Sequence, residues 1–169
     1  DNSGVVSLGT LAVDGTIALT TDGTGDALVV NDASLTFAAS TVGQDLTATA
    51  TTGNIIDNAT VTVGRKLAVT ATADDATINL GTLAVDGTVA LTTNGTNGNV
   101  TLVNDVGLAF AASTVDGTLS ATATTGNMTD SGALTISGTS AFITCGRLYK
   151  SDTADEQTRG SRGGRRARQ

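Results

Sequence analysis

The chain has 169 residues, a formal net charge of −7, and no His, Pro or Trp. Because His is the commonest general base and the commonest transition-metal ligand, its absence argues against zinc sites and Ser-His triads. Residues 1–146 hold 13 of the 16 acidic residues beside two basic ones, Arg65 and Lys66, and such an acidic surface repels nucleic acid and anionic lipid. No apolar run approaches the roughly 20 residues that cross a bilayer, so we predict neither a membrane span nor a nucleic-acid partner.

Apolar residues alternate with small polar ones along the chain, and each run stops at a glycine turn, which is the pattern of half-buried strands. The first run has Leu11 and Val13 before Gly15 and resumes at Ile17. Thr and Val suit a pleated surface, whereas Glu, Lys and Gln, which favour helices, are scarce. We therefore predict an all-β chain of about six coils. One glycine per coil marks a predicted corner: Gly15, Gly43, Gly64, Gly87, Gly117 and Gly138.

Two long repeats run through the chain, at about residues 8–79 and 80–146. The segment LGTLAVDGTIALTTDGTG at 8–25 returns as LGTLAVDGTVALTTNGTNG at 80–98, and FAASTV at 37–42 returns at 110–115. Equivalent residues are 72 positions apart at first, and 73 positions apart after one inserted residue between the equivalents of Gly25 and Leu28. The six corner glycines then predict three coils in each long repeat.

The corner glycines recur at intervals of roughly 20 to 30 residues, and a repeat of this length indicates a solenoid, whose thin coils bury their apolar faces by stacking. Strands of adjacent coils would lie about 4.8 Å apart, with Leu35, Phe37, Leu108 and Phe110 pointing into a shared interior. A rival interpretation is a pair of tandem sandwich domains of about 72 residues each, but nothing in that architecture requires the shorter spacing. We therefore favour a parallel β-solenoid.

Two segments, TTGNMTDSGALTISGTSAFIT at 124–144 and GNIIDNATVTVGRKLAVTA at 53–71, resemble the repeats of filamentous haemagglutinin-like bacterial exoproteins, which include two-partner-secreted adhesins. The resemblance covers roughly residues 8–145. It implies a right-handed parallel β-helix that forms the shaft of a filamentous adhesin, located outside the cell or on the bacterial surface. It also implies neighbouring coils of a longer parent chain as partners, with a host-cell or glycan receptor bound elsewhere in the parent.

Asp22 and Asp26 suggest a calcium loop, because oxygen-rich turns suit a hard cation. The equivalent turn at 94–98 has lost both carboxylates, and Asp-Gly is also what a tight turn requires, so we interpret the segment as a turn. Arg65 and Lys66 are adjacent turn residues, which predicts a solvated corner. We accordingly predict no catalytic, cofactor-binding or metal-binding residue and no cofactor, and we expect the chain not to be an enzyme. The least favoured alternative is a polysaccharide-active enzyme, because parallel β-helices also host lyases and hydrolases, which need clustered carboxylates with basic partners.

Rows of Thr raise the hypothesis of ice binding by an outward face. An ice-binding face should repeat its Thr pairs coil after coil, yet the first coil has Thr16, Ala18 and Thr20 at the aligned positions. β-Branched Thr on the wet face of a strand needs no further explanation, so ice, glycan or calcium binding stays an alternative. The rows are Thr47, Thr49 and Thr51; Thr70 and Thr72; and Ser120, Thr122 and Thr124.

The segment at 147–169, which ends the chain, abandons the alternation and concentrates Arg. Few apolar residues remain there to offset the entropy of ordering it, so we predict a disordered tail after a β-solenoid segment at 1–146. Only Tyr149 of this tail could stack on a base. The chain opens at Asp1 without a Met or an apolar leader, which is typical of a mature or excised segment. Solenoid ends without caps would expose strand edges, and we expect the segment to aggregate or to pair end to end unless its neighbours cover those edges.

Overall fold

The structure, a computed structural model, describes residues 4–144. Within that range the chain forms eighteen β-strands and no helix. The predicted tail at 147–169 lies outside the described residues. In chain order the strands are β1 (Val6–Leu11), β2 (Thr16–Ile17), β3 (Ala27–Asn31), β4 (Leu35–Phe37), β5 (Ser40–Val42), β6 (Leu46–Ala50), β7 (Ile55–Asp57), β8 (Val61–Val63), β9 (Leu67–Asp74), β10 (Ile78–Val85), β11 (Thr88–Asn94), β12 (Val100–Asn104), β13 (Leu108–Phe110), β14 (Ser113–Val115), β15 (Leu119–Ala123), β16 (Met128–Asp130), β17 (Leu134–Ile136) and β18 (Ser140–Thr144).

The strands form two sheets of nine, and every pairing within them is parallel. The first sheet contains β1, β3, β6, β9, β11, β13, β14, β16 and β17, and the second sheet contains the other nine. In each turn the chain runs through the first sheet and then the second before it returns to the first. The predicted parallel β-solenoid is therefore confirmed.

One column of paired residues in the first sheet counts the turns of the solenoid. Its seven members follow one another at intervals of 19 to 22 positions, so the solenoid has about seven turns where the glycines predicted about six. The column is Val6, Ala27, Leu46, Leu67, Val89, Phe110 and Asp130.

The six predicted corner glycines do lie at turns, but they divide between two corners of the coil. Gly43, Gly64 and Gly87 follow strands of the second sheet, whereas Gly15, Gly117 and Gly138 follow strands of the first. The two longest intervals, from Gly15 to Gly43 and from Gly87 to Gly117, each cross from one corner to the other and span well over one turn. Counting one glycine per turn therefore gives too few turns.

The long repeat, with equivalents 72 or 73 positions apart, corresponds to three and a half turns of the solenoid. Equivalent residues therefore lie in opposite sheets. Phe37 belongs to β4 of the second sheet, and its equivalent Phe110 belongs to β13 of the first. The prediction of three coils per long repeat is wrong for this reason, and the two long repeats are related by half a turn about the solenoid axis.

The core is a continuous column of apolar side chains between the two sheets. Alternate residues of each strand point inward, as in β6, where Leu46, Ala48 and Ala50 are buried and the intervening Thr residues face outward. Leu35, Phe37, Leu108 and Phe110 are all at most 2% exposed, as predicted. Each such Leu or Phe contributes about 1.5–3 kcal/mol to folding by leaving water. Because each turn closes the core of the next, each turn depends for its stability on the turns beside it.

Candidate functional site

Six polar side chains are buried among the described residues, and they form three pairs of equivalents from the two long repeats. In residues 4–144, no buried side-chain nitrogen or oxygen lacks a hydrogen-bond partner. We call these six residues the polar plugs, because each one fills a place where the backbone ladder between turns is interrupted. The pairs are Thr21 and Thr93, Asn31 and Asn104, and Ser40 and Ser113.

Each Asn plug supplies hydrogen bonds at the corner that follows a strand, where backbone partners are missing. The Oδ1 of Asn104 accepts the N–H of Val85 at 2.8 Å, and its Nδ2 donates to the carbonyl oxygens of Val85 and Gly107 at 3.0 and 2.8 Å. The pairing of β10 with β12 shifts register near this point, so the side-chain amide replaces the missing backbone partners. Asn31 makes the same three bonds in the first repeat.

The Ser and Thr plugs work in the same way with a single hydroxyl. The Oγ of Ser40 donates to the carbonyl oxygen of Ala38 at 2.9 Å and accepts the N–H of Leu19 from the preceding turn at 3.1 Å. This bond bridges the gap between β4 and β5. The Oγ1 of Thr21 donates to the carbonyl oxygen of Gly25 at 2.9 Å and accepts the N–H of Gly43 at 3.0 Å. Ser113 and Thr93 repeat both arrangements in the second repeat.

The carboxylate of Asp57 joins the first long repeat to the second. Its oxygens accept the backbone N–H groups of Gly81 and Thr82 and the hydroxyl of Thr82, all at 2.8 Å. Gly81 and Thr82 lie opposite the break between β7 and β8, where the backbone has no partner to offer. We call this arrangement the Asp57 clamp. The sequence predictions missed it, and the return of the same carboxylate as Asp130 in the second repeat was its only signal.

Asp22 and Asp26 lie in the turn that the sequence predicts. The N–H of Gly25 donates to the carbonyl oxygen of Asp22 at 3.1 Å, and Gly23 has a φ of +60°, which favours glycine. The carboxylate of Asp26 accepts the backbone N–H of Asp45 at 3.0 Å. Within the described range, no three His, Cys, Asp or Glu side chains lie close enough together to hold a metal ion.

The equivalent turn in the second repeat is organised by Asp75. Its carboxylate accepts the backbone N–H of Asn97 at 2.9 Å and the side-chain amide of Asn97 at 3.2 Å. The backbone hydrogen bond, and then the side-chain bond, hold the pKa of Asp75 below its usual value. Asp75 itself has a φ of +62°, and Gly95 packs so closely that a Cβ there would lie 2.5 Å from the Asp75 carboxylate.

A file of Thr hydroxyls runs along the outer face of the first sheet. In the sequence the Thr rows appear as short runs within strands, but the pairing register aligns one Thr from each of five successive turns. We call this file the Thr ladder. Beside it, Thr47 is followed by Ala68 and Ala90, so the neighbouring file is mostly Ala. The members of the Thr ladder are Thr49, Thr70, Thr92, Thr114 and Thr135.

Arg65 and Lys66 occupy an exposed corner, as predicted. The guanidinium of Arg65 lies 3.7 Å from the Asp45 carboxylate, with both side chains at the surface, and donates to Gln44 at 3.2 Å. An exposed pair of this kind contributes at most about 1 kcal/mol. The corner thus links two adjacent turns weakly.

Two surface depressions lie on the described part of the rod. One, of about 350 Å³, is lined by Asp86, Gly107 and Leu108 among others, and a second, of about 290 Å³, by Thr82, Asp105 and further residues. Each contains a single carboxylate and no basic side chain. Acid-base hydrolysis of a glycoside needs two carboxylates flanking one bond, and neither depression provides them.

Comparison with known proteins identifies a repeat family. The sequence model of the family described as Repeats of unknown function (DUF5649) matches residues 24–74 and 97–147, which together exceed half of the chain. The two matched segments start at positions 24 and 97, which are 73 positions apart. Equivalent residues of the two long repeats have the same separation after the inserted residue. No curated protein and no solved structure matches the chain. Residues 4–144 contain no helix that is long and apolar enough to cross a membrane.

Proposed function

We propose that this chain, which belongs to the family described as Repeats of unknown function (DUF5649), is a non-catalytic shaft segment of an exported, filamentous adhesin-like protein of a bacterial surface. The segment would hold other parts of the fibre apart and stiffen the fibre. The resemblance of residues 53–71 and 124–144 to filamentous haemagglutinin-like repeats supports the export and adhesin parts of the proposal. A receptor would be bound elsewhere in such a parent chain.

The observation that supports the shaft best is the unbroken stack. Both sheets run through all seven turns, and the polar plugs restore hydrogen bonds where the backbone ladder is interrupted. Bending such a rod would open backbone hydrogen bonds on one side and separate core side chains such as Leu46 and Leu67, which lie directly above one another. A structure of this kind transmits force along its axis.

Small-angle scattering on a chain extended by one further long repeat tests the shaft. Three and a half additional turns should lengthen the particle by about 17 Å at an unchanged cross-section. A particle that widens in proportion would overturn the proposal. Antibody labelling of intact cells that produce the parent protein tests export, and labelling that requires permeabilised cells would contradict it.

The Thr ladder favours a second candidate function, binding to an ordered surface such as ice. It presents five hydroxyls at the spacing of the strands, about 4.8 Å, on a face whose neighbouring positions include Ala68 and Ala90. A thermal-hysteresis assay tests it, with Thr92→Lys as the variant because Thr92 is at the middle of the ladder. Equal activity in the native chain and the variant, or none in either, would remove this candidate.

A further inference from the structure

Asn94 and Asn97 are the two Asn residues of the chain that a Gly follows directly. Asn is a thermolabile residue, since its side-chain amide can be lost when the next backbone nitrogen attacks it. Gly has no side chain to hinder that attack, so a pair of Asn and Gly is the most reactive. Both pairs lie in the turn at 94–98 that follows β11. The sequence does not distinguish between them, whereas the hydrogen bonds of the turn do.

The backbone nitrogens that would attack differ in their hydrogen bonds. The N–H of Gly98 donates to the carbonyl oxygen of Gly95 at 2.9 Å, and the N–H of Asn99 donates to that of Asn97 at 2.6 Å. These two bonds hold the backbone on both sides of the peptide between Asn97 and Gly98. Gly95 is half-buried, and no acceptor within residues 4–144 takes its N–H. Attack by Gly98 therefore breaks a hydrogen bond of the attacking nitrogen, and attack by Gly95 does not.

The two side-chain amides differ in exposure and in their partners. The Nδ2 of Asn94, a half-buried residue, donates to the carbonyl oxygen of Thr72 at 2.8 Å, and its Oδ1 accepts no hydrogen bond from residues 4–144. Asn97 is exposed, but its amide donates to the Asp75 carboxylate at 3.2 Å. A carboxylate disfavours the loss of a proton from a nitrogen beside it. Exposure alone would favour Asn97, whereas the backbone bond and the bonded carboxylate both oppose its reaction.

We infer that Asn94 is a site of spontaneous deamidation and reacts ahead of Asn97. The backbone nitrogen of Gly95 loses its proton and forms a bond to the Cγ of Asn94. The bond between Cγ and Nδ2 breaks, and Nδ2 leaves as ammonia. The resulting succinimide takes up one water molecule at either of its carbonyl groups and opens to an aspartyl or an isoaspartyl residue. No atom is oxidised or reduced, and water is the co-reactant.

The new carboxylate would face carboxylates on both neighbouring turns. Asn94 is directly paired with Asp74 at the end of β9, and Asp75 follows. On the other side, Asp116 follows β14, which pairs with β11 at Thr92. Like charges directly opposite each other in a sheet are destabilising, and the neutral amide of Asn94 separates these acidic positions. Deamidation would therefore weaken the contact between adjacent turns beside the Thr ladder.

Basic side chains do not offset this repulsion. Within residues 4–144 the basic residues are Arg65 and Lys66, which precede β9 and lie at the end of that strand opposite to Asp74. The guanidinium of Arg65 is already beside Asp45. We therefore expect the cost of the new charge to depend on the pH, because the repulsion exists only while the carboxyl groups are ionised.

Peptide mapping by mass spectrometry of the full chain tests the order of the two sites. The folded chain is kept at mildly alkaline pH in water enriched in heavy oxygen, so each deamidation incorporates a heavy atom. Asn94 should convert at least about fivefold faster than Asn97, as expected if the Asn97 reaction must first break one hydrogen bond. In urea, where the turn is lost, the two residues should convert at similar rates. Equal rates in the folded chain, faster conversion of Asn97, or no conversion of Asn94 would overturn the inference.

Asn94→Asp reproduces the aspartyl product and tests its effect on the fold. The equivalent turn of the first long repeat carries Asp22 at this place, so the variant should fold. Its melting temperature should be lower than that of the native chain at neutral pH. The difference should become small at a pH of about 3, where a carboxyl group with the ordinary Asp pKa of about 3.9 is mostly protonated.

Asn79→Asp is the matched control, because it adds the same charge where the paired residues are Ile56 and Thr101. It should lower the melting temperature at neutral pH by less than Asn94→Asp does. Circular dichroism establishes that both variants are folded. An equal loss in the two variants, or a loss in Asn94→Asp that persists at acid pH, would overturn the predicted repulsion between adjacent turns.

Discussion

Asn31 and Asn104 make the same three hydrogen bonds from opposite sheets of the solenoid. Both side chains are completely buried. A buried amide is tolerated because each one replaces backbone groups that the turn leaves without partners. The half-turn between the long repeats thus preserves local structure while it exchanges the sheets.

Replacing Asn104 with Ala should destabilise the chain by about 3 kcal/mol. The variant leaves the N–H and carbonyl oxygen of Val85 buried without partners, and each such group costs about 1–3 kcal/mol. Urea denaturation measures the difference. Asn79→Ala, at an exposed position of a neighbouring strand, is the control and should change stability by less than about 0.5 kcal/mol. Equal effects of the two variants would show that the plug does not maintain the corner.

Gly64→Ala should be among the most damaging single-methyl changes in the chain. The new Cβ would lie 2.2 Å from the carbonyl oxygen of Gly43, and that backbone is fixed by the turns on both sides. Overpacking against a rigid neighbour costs about 1–3 kcal/mol or more. Gly15→Ala adds the same methyl where nothing lies within 4 Å and should be neutral. Comparing the melting temperatures of the two variants separates the effect of the close contact at Gly64 from the general effect of adding a methyl group.

The Asp57 clamp should contribute measurably to the coupling between the long repeats. Asp57→Ala removes three hydrogen bonds, and we expect a loss of about 2 kcal/mol in the free energy of unfolding. Asp57→Asn keeps one acceptor oxygen and should lose less. If coupling between the repeats depends on the clamp, the unfolding transition of the Ala variant also broadens. A sharp, unshifted transition would contradict this.

Asp75 should titrate below the ordinary Asp value of about 3.9. Because its pKa is lowered in the folded chain, the ionised carboxylate stabilises the fold above the unfolded-state pKa, and that contribution is lost as the pH falls through the folded-state pKa. Carboxyl chemical shifts followed by NMR give the titration midpoint. Asn97→Ala removes the side-chain bond but keeps the backbone one, so the pKa should rise only part of the way. An unchanged midpoint would mean that the side-chain bond has no effect.

The parallel stacking could be predicted because it depends on the periodicity of single residues. Alternation of apolar and polar residues determines which side chains face inward, and the short repeat between glycine corners requires stacking. The inward positions of Phe37 and Phe110 follow directly and are confirmed. The half-turn between the two long repeats could not be predicted in the same way, because it depends on the exact number of residues in one turn of the solenoid. The spacings between the corner glycines did not give that number, because the glycines lie at two different corners of the coil.

The polar plugs were missed because Asn31 and Ser40 look like ordinary polar residues of strands and turns. A signal was nevertheless present. Asn31 continues the inward alternation of Ala27 and Val29, so it occupies a core position by phase, and Asn104 repeats this in the second long repeat. An amide in phase with the core, recurring in both copies, indicates a buried hydrogen-bonding role. The Asp57 clamp has no comparable signal in the alternation of apolar and polar residues. Its carboxylate bonds to a neighbouring turn of the solenoid, and the sequence alone does not identify which residues of that turn it reaches.

The long repeat contains three and a half turns of the solenoid and not a whole number, and this affects how such a chain can change in length. Gain of a single copy would reverse the direction in which every later loop and side-chain file points around the axis, so a surface that faced one neighbour would face away from it. Gain of two copies would restore the original orientation. Where an exposed face carries function, duplications of this segment should therefore be retained in even numbers.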